Sequence, residues 1–385
     1  MSPFQAHPVV RLAPHWIYRR AARTYILRMA SSIKGRGAFS NPPGRFDRLT
    51  QTLEHDGWYE EQAPDNLLTT VMPEPARSII TRNDSPDIGF GQSINPYRGC
   101  EHGCVYCYAR PSHGYVGLSP GLDFETKIFY KADAARLLEA ELAAPKYRCA
   151  PIMLGANTDP YQPLEKSLKV TRSILEVLLR CRHPVSITTK GALIARDVDL
   201  LAGLARDGLV RVMFSIPTLQ PDMKRILEPR AASAAAKLKA MRLLADAGVV
   251  VGVLVAPIIP VLTEHEIESV LEAARAAGAS LAGYTILRLP WEVKDLFREW
   301  LAEHFPERAT HVMSQVRAMR GERDNDPDFG TRMHATGPVA QLIRQRFQLA
   351  CRRLGFPEER NNHLPTNHFQ PPRRTHPQLT LEFPA

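Results

Sequence analysis

The sequence predicts an α/β protein: a partial (β/α)6 barrel of the TIM type, with an irregular N-terminal extension and a helical C-terminal region. Three observations carry that expectation. Over residues 91–305, short β-rich runs alternate with longer helix-patterned runs six times, and repeated βα units imply a parallel sheet with right-handed crossovers. The strand runs are apolar nearly throughout, as expected when both faces of a sheet are covered. No Gly-rich dinucleotide turn follows any strand, which favours a partial barrel over a doubly wound sheet.

Residues 1–90 read as the extension, with Pro and Gly clusters such as "SNPPGRF" and "MPEPARS". Its start is basic: Arg11, Arg19, Arg20, Arg23, Arg28, Lys34, Arg36 and Arg45 all come before Asp47, the first acidic residue. Such an arm is similar in composition to an organelle transit peptide but lacks the apolar run of a secretory signal. Translation starting at Met29 is the competing expectation.

The six units then follow in order: "GQSINPY" with "KADAARLLEAELA", "PIMLG" with "EKSLKVTRSILEVLLR", "VSITTK" with "ALIARDVDLLAGLARDG", "VRVMFSI" with "AASAAAKLKAMRLLADAG", "VVVGVLVAP" with "TEHEIESVLEAARAAG", and "LAGYTILRLP" with "WEVKDLFREWLAEHF". Gly208, Gly248 and Gly278 stand where helix C-caps belong. Residues 306–355 carry two more helical patterns, "PERATHVMSQVRAMRGE" and "GPVAQLIRQRFQLACRRLG". Residues 356–385, rich in Pro, Asn, His and Arg, read as a flexible tail.

Composition narrows the class. The apolar fraction of 44% and charged fraction of 23% suit a soluble globular protein. The longest apolar run, "GVVVGVLVAPIIPVL", is too short to span a membrane and is interrupted by Pro257 and Pro260. No membrane partner is expected. The net charge of +9 suits an anionic partner such as nucleic acid, or simply a basic cytosolic protein. Six cysteines in a chain of 385 residues do not make a disulfide framework, so a reducing cytoplasm is expected. Cys149, Cys181 and Cys351 are scattered and read as small core residues.

The other three cysteines, Cys100, Cys104 and Cys107, crowd the loop after the first strand run, in "NPYRGCEHGCVYCYARPSHGY". Loops at the C-terminal ends of parallel barrel strands carry chemistry because they converge there. Closely spaced thiolates bind zinc or an iron–sulfur cluster. A structural zinc site needs a fourth ligand; His102 or His113 would have to supply it, and a second knuckle is missing. Other candidates follow later strands: Asp159, Glu228, Arg230 and Arg288 as substrate contacts. An Arg there suits a phosphate or carboxylate. The competing readings are an acidic helix start for Asp159 and an internal ion pair of Glu228 with Arg230 or Arg288. Arg98 and Arg110 flank the cysteines, where their charge would tune a cluster.

The stretch "CEHGCVYC" resembles the signature of the radical SAM superfamily: C-x3-C-x2-C with an aromatic residue before the last Cys, here Cys100, Cys104, Tyr106 and Cys107. Over about residues 93–290 the chain is similar to that superfamily's spore photoproduct lyase-like branch, the DNA repair photolyase group, with Tyr108 in "CVYCYA" completing the likeness. The resemblance implies a radical SAM barrel. Its three cysteines hold a [4Fe–4S] cluster whose fourth iron takes S-adenosylmethionine, and an electron donor reduces the cluster. It also implies cofactor contacts at Tyr106, at Thr158 and Ser215 (methionine part), at Lys190 (carboxylate) and at Ala256 (adenine). Helix N-capping is the competing reading for Thr158 and Ser215. One departure stands out. In "MLGANTDPYQP" Ala156 occupies the place of the branch's hydrogen-donor cysteine, which puts thymine-dimer repair itself in doubt. Tyr106 and Tyr161 are the candidate phenols to quench a product radical, with plain packing the competing reading for Tyr161. The expected function is radical cleavage of S-adenosylmethionine directed at nucleic acid, for repair or modification. The alternatives are modification of a peptide or small metabolite, and a nucleic-acid- or partner-binding protein with a structural cluster.

The tail ends in "QLTLEFPA". Gln378, Leu379, Leu381 and Phe383 resemble the hexapeptide with which bacterial DNA repair and replication proteins dock on the sliding clamp. A short edge strand with one apolar face is the competing reading.

Overall fold

The computed structural model describes residues 33–46, 67–357 and 363–372. Two sheets organise it. The smaller joins β1 (Thr70–Pro73), β4 (Tyr97–Arg98) and β5 (Lys127–Tyr130) in the order β1-β5-β4. The larger has seven strands. β2 (Ile80–Arg82) lies antiparallel on β3 (Gln92–Ile94); then β6 (Ile152–Leu154), β7 (Val185–Thr189), β8 (Val210–Ser215), β9 (Val250–Ile258) and β10 (Leu281–Ile286) follow in parallel. Its six parallel strands are the six β-rich runs of the sequence, in sequence order. Among the described residues β3 and β10 do not pair, and the sheet is open there.

The helices are α1 (Leu122–Thr126), α2 (Ala134–Leu142), α3 (Glu165–Leu168), α4 (Val170–Arg180), α5 (Val198–Ala205), α6 (Pro221–Leu227), α7 (Ala234–Asp246), α8 (Ile267–Ala276), α9 (Val293–His304), α10 (Pro306–Ala318) and α11 (Gly337–Leu354). The strands are apolar because both faces are packed: Val212, Phe214, Val251, Val253 and Val255 are all buried. α4 turns Ile174, Leu175, Val177 and Leu178 into the same core, the stripe a 3.6-residue period predicts. Gly208, Gly248 and Gly278 all have positive φ. In each case the next residue's N–H reaches back to the helix, as Leu209 to Leu204 and Val249 to Leu244, both at 3.0 Å; this is the Schellman closure a glycine permits.

Three details depart from the sequence reading. The run 165–180 breaks at Lys169, whose φ of 54° ends α3 and starts α4. The run that begins at Ala192 opens as a 3-10 turn over Ala192–Asp197 before α5. The extension read as irregular contributes β1 and β2 to the two sheets.

A second core joins distant parts of the chain around the cysteine loop. It gathers Ile33 and Ala38, then Cys104, Val105 and Tyr106, then Phe297 and Trp300 of α9 and Val312 and Val316 of α10. α11 closes over α8 through Arg346 and Glu268, at 2.6 and 2.8 Å. Residues 363–372, part of the stretch read as a flexible tail, lie against the start of β7. Phe369 packs edge-on to His183 at 5.2 Å, and the Gln370 N–H donates to the Cys181 carbonyl at 2.8 Å. The clamp-like residues Gln378, Leu379, Leu381 and Phe383 lie outside the described residues, as does Met29. No described helix is long and apolar enough to cross a membrane.

Candidate cofactor site

The cysteine loop leaves β4 and folds back on itself. The Cys100 N–H donates to the Phe124 carbonyl at 3.0 Å, and the Cys107 N–H to the Cys104 carbonyl at 3.2 Å. Cys100 and Cys104 are buried, Cys107 partly so. Burial pushes all three thiols up; Asp159 and the other two cysteines add to this at Cys100, Glu228 and Cys107 add to it at Cys104, and Arg110 and Lys190 oppose it at Cys107. Three such groups become thiolates together only beside a compensating cation, so the donor set fits a positively charged iron centre. Among the described residues no three His, Cys, Asp or Glu side chains are gathered tightly enough to hold a single metal ion. A cluster needs no such convergence, because each thiolate binds its own iron.

Behind the loop lies a buried charge network. Glu228, with no exposed surface, accepts from the Tyr106 hydroxyl and pairs with Lys237 at 3.0 Å. Lys237 also donates to the Ser215 carbonyl at 2.9 Å. Lys190 donates to Ser215 Oγ at 2.9 Å and lies 3.9 Å from Glu228; Ser215 in turn donates to the Ala256 carbonyl at 2.9 Å. Burial pulls the Lys190 amine down, but Glu228, Cys104, Asp159 and Cys107 outweigh it and raise it overall. Burial likewise pushes Glu228 up, while Lys237 and Lys190 win and hold it ionised. The network therefore stays charged, with a cation facing the cysteines.

On the other side, Asp159 is pinned by the Thr189 hydroxyl and the Lys190 N–H, both at 2.7 Å. His102 Nδ1 lies 3.3 Å away, at ion-pair distance without hydrogen-bond alignment. Burial alone would raise Asp159; His102 and these donors bring it down to about 2. Thr158 donates to the Gly99 carbonyl at 2.8 Å, and Gln162 reaches the same oxygen at 3.2 Å.

The N-terminal segment locks the loop from outside. Glu125 accepts from Gly37 N–H (3.0 Å) and Ala38 N–H (2.9 Å), and pairs with the fully buried Arg110. Arg110 donates onward to the Cys104 carbonyl at 2.9 Å. Gly37 runs so close to the loop that a Cβ there would sit 1.7 Å from the Gly103 oxygen.

The sequence candidates thus divide. Cys100, Cys104, Cys107, Tyr106, Thr158, Asp159, Lys190, Ser215 and Ala256 belong to this loop or the strand ends around it, and Glu228 reaches them from the C-terminal end of α6. Thr158 and Ser215 do not cap helices; their hydroxyls bond carbonyls of the loop and of β9. Glu228 pairs with neither arginine: Arg230 pairs with Glu101 at 3.1 Å, and Arg288, following β10, has a buried Nε without a partner among the described residues. Arg98 pairs with Glu74 at 2.6 Å. His113 is buried against the Lys127 carbonyl at 2.9 Å. Tyr161 is a core residue whose hydroxyl donates to Asp197 at 3.2 Å. Sequence reasoning missed Lys237, Glu125 and Gln162. Only the polar character of Lys237 in the otherwise apolar stripe of α7 signalled anything. It also missed Tyr108 as a mouth residue: its ring is 55% exposed and its hydroxyl donates to the Ala156 carbonyl.

The chain is similar to known proteins in sequence and in fold. The model of the radical SAM superfamily matches residues 94–274. Uncharacterized proteins of Mycobacterium tuberculosis and Mycobacterium bovis are 37% identical over 222 residues, which is 57% of this chain and 65% of theirs; the match thus spans just under two thirds of these curated relatives. An uncharacterized Methanocaldococcus jannaschii protein is 29% identical over 173 residues, 45% of this chain and 62% of its own. The structure of spore photoproduct lyase complexed with dinucleoside spore photoproduct superposes with a TM-score of 0.53, covering 74% of this chain and 79% of that one at 16% identity. At that identity the likeness is one of fold.

Proposed function

We propose, from the premise that residues 94–274 form a radical SAM domain, that this protein is a radical SAM enzyme acting on nucleic acid. Cys100, Cys104 and Cys107 would hold a [4Fe–4S] cluster, and the charged pocket behind them would take S-adenosylmethionine. The observation that carries the reading is the three-cysteine loop beside Lys190, whose cation Glu228 sustains from 3.9 Å and whose charge acts on Cys104 and Cys107. Held there with S-adenosylmethionine, a reduced cluster would supply the one-electron chemistry that cleaves the sulfonium. The chain's own residues bind and orient. Lys190 offers a cation to the amino-acid carboxylate, Ser215 and Glu228 hold that amine in place, and the packed loop excludes water. Tyr106 and Tyr161 spend their hydroxyl protons on Glu228 and Asp197, and Ala156 offers no thiol. The reading therefore stops at hydrogen abstraction and does not extend to dimer repair.

Nucleic acid as the substrate class is supported by the charge of +9 and by the fold shared with a protein solved with a dinucleoside photoproduct. The reading includes a cytoplasmic location, an external electron donor, and clamp docking through Gln378, Leu379, Leu381 and Phe383. The deciding experiment is anaerobic reconstitution followed by dithionite and S-adenosylmethionine. Formation of 5′-deoxyadenosine is expected; none from fully loaded protein would favour a binding protein with a structural cluster. A labelled peptide of the last dozen residues should bind purified sliding clamp at micromolar concentration and lose binding on Phe383→Ala. No binding at tens of micromolar would remove the clamp from the reading.

A further inference from the structure

Three large aromatic side chains stand out in the open around one arginine. Phe46, Tyr115 and Trp291 are 50%, 68% and 57% exposed. The Arg45 guanidinium carbon lies 3.9 Å from the centre of the Trp291 ring, 4.9 Å from Phe46 and 5.6 Å from Tyr115. Phe46 and Tyr115 meet at 5.1 Å. Single exposed aromatics need no explanation, but a gathered patch does. Its parts come from three separate segments: the N-terminal arm, the 3-10 turn Arg110–Val116 that follows the cysteines, and the loop after β10. Trp291 follows the C-terminal end of β10, and Leu289 and Val293 on either side of it pack in one core with Cys104, Val105 and Tyr106, so the patch and the cysteine loop share one end of the sheet.

Two features mark it as built. Trp291 holds a φ of +49°, a conformation that bulky residues adopt only when the surroundings impose it, and here it leaves the ring outside. The Arg45 N–H is fixed by Glu292 Oε1 at 2.9 Å, and Arg45 Nη2 reaches the Tyr115 hydroxyl at 3.4 Å. The backbone anchor leaves the guanidinium stacked among the rings.

We infer that Arg45, Phe46, Tyr115 and Trp291 form a stacking platform for unpaired nucleobases at the mouth of the cofactor site. This rests on the nucleic-acid reading above and specifies how the strand is held. Every base has a π-face, so exposed rings interleaved with a cation grip single strands with little sequence preference. Chemistry on a base requires it to leave the stack, and a platform beside the radical source receives the unstacked neighbours.

The test uses reconstituted full-length protein with labelled single-stranded DNA, single-stranded RNA and duplex DNA. Wild type should prefer a single strand, and the DNA and RNA arms tell which. Trp291→Ala and Tyr115→Ala should each weaken that binding about fivefold or more, while substrate-free production of 5′-deoxyadenosine stays unchanged. Unlabelled oligonucleotide should quench tryptophan emission in wild type and less in Trp291→Phe; Trp16, Trp58 and Trp300 are common to both proteins, so the difference in quenching reports Trp291. Trp291→Gly, which accepts the positive φ, should melt no lower than Trp291→Ala yet bind as weakly. Wild-type affinity in the Trp291→Ala/Tyr115→Ala double variant overturns the platform alone. No affinity of wild type for any of the three nucleic acids at low salt overturns the nucleic-acid reading and the platform together.

Discussion

Cys100, Cys104 and Cys107 each carry one iron in the proposed centre, so replacing any one by Ala should abolish the visible absorbance of reconstituted protein and the cleavage of S-adenosylmethionine. Cys149→Ala, Cys181→Ala and Cys351→Ala should keep the absorbance; bleaching by Cys149→Ala would refute the three-ligand assignment. Glu228 is the residue on which the pocket's charge depends. Glu228→Ala leaves the amine of Lys237, buried at 1% exposure, with the Ser215 carbonyl but no carboxylate, and should cost about 3–5 kcal/mol in denaturant unfolding. Lys190→Met keeps the length of the side chain and removes the cation. It should lower the melting temperature less than Glu228→Ala does, since Lys237 and Tyr106 still hold Glu228, and weaken S-adenosylmethionine binding about tenfold or more; unchanged affinity by equilibrium dialysis would remove Lys190 from the carboxylate contact.

At the scale of elements, the cysteine loop is held between the strand ends and the segment 33–46. Gly37 is the tightest point of that clasp. Gly37→Ala would drive a methyl group into the Gly103 carbonyl, and both partners are backbone that side-chain rotation cannot relieve. The segment should lift, with a loss of about 1–3 kcal/mol and faster removal of iron by a chelator. Wild-type chelation kinetics would mean that the clasp does not protect the loop. Residues 363–372 are a second clasp, at the far end of the strands. Phe369→Ala should lower the melting temperature and open this stretch to limited proteolysis, leaving the cluster absorbance intact.

At the scale of the whole molecule, two buried imidazoles tie stability to pH. Burial pulls His113 and His183 down to about 4, a carbonyl contact at each opposing it in part. The unfolded chain, with imidazoles near 6.5, binds more protons than the folded one between pH 6.5 and 4. Stability therefore falls as pH falls through that window, by up to about 3 kcal/mol for each imidazole. Midpoints of denaturant unfolding measured from pH 7 to pH 4 should show the decline. His183→Gln should flatten it by about half; an unchanged slope in that variant would show that His183 is not buried neutral.

What the sequence determined by itself is what local chemistry encodes. Six β-rich runs became six parallel strands because short, mostly apolar runs alternating with helical patterns suit a sheet covered on both faces. The left-handed glycines ended α5, α7 and α8 where expected, because capping depends on a few neighbouring residues. The cysteine spacing marked the loop because three thiols within one short segment must lie close together in any fold. Tertiary structure alone decided the partners. β1 pairs with β5 through Thr70 and Lys127, and strands of two to four residues carry too little pattern to announce such pairing. Glu228 chose Lys237 and Lys190 over the nearby Arg230, and Glu125 bound a segment some ninety residues upstream. The rings around Arg45 met from three places in the chain. Such choices follow from which buried charges can be satisfied at once when the layers close, and a balance over the whole packed interior leaves no trace in any one stretch of sequence.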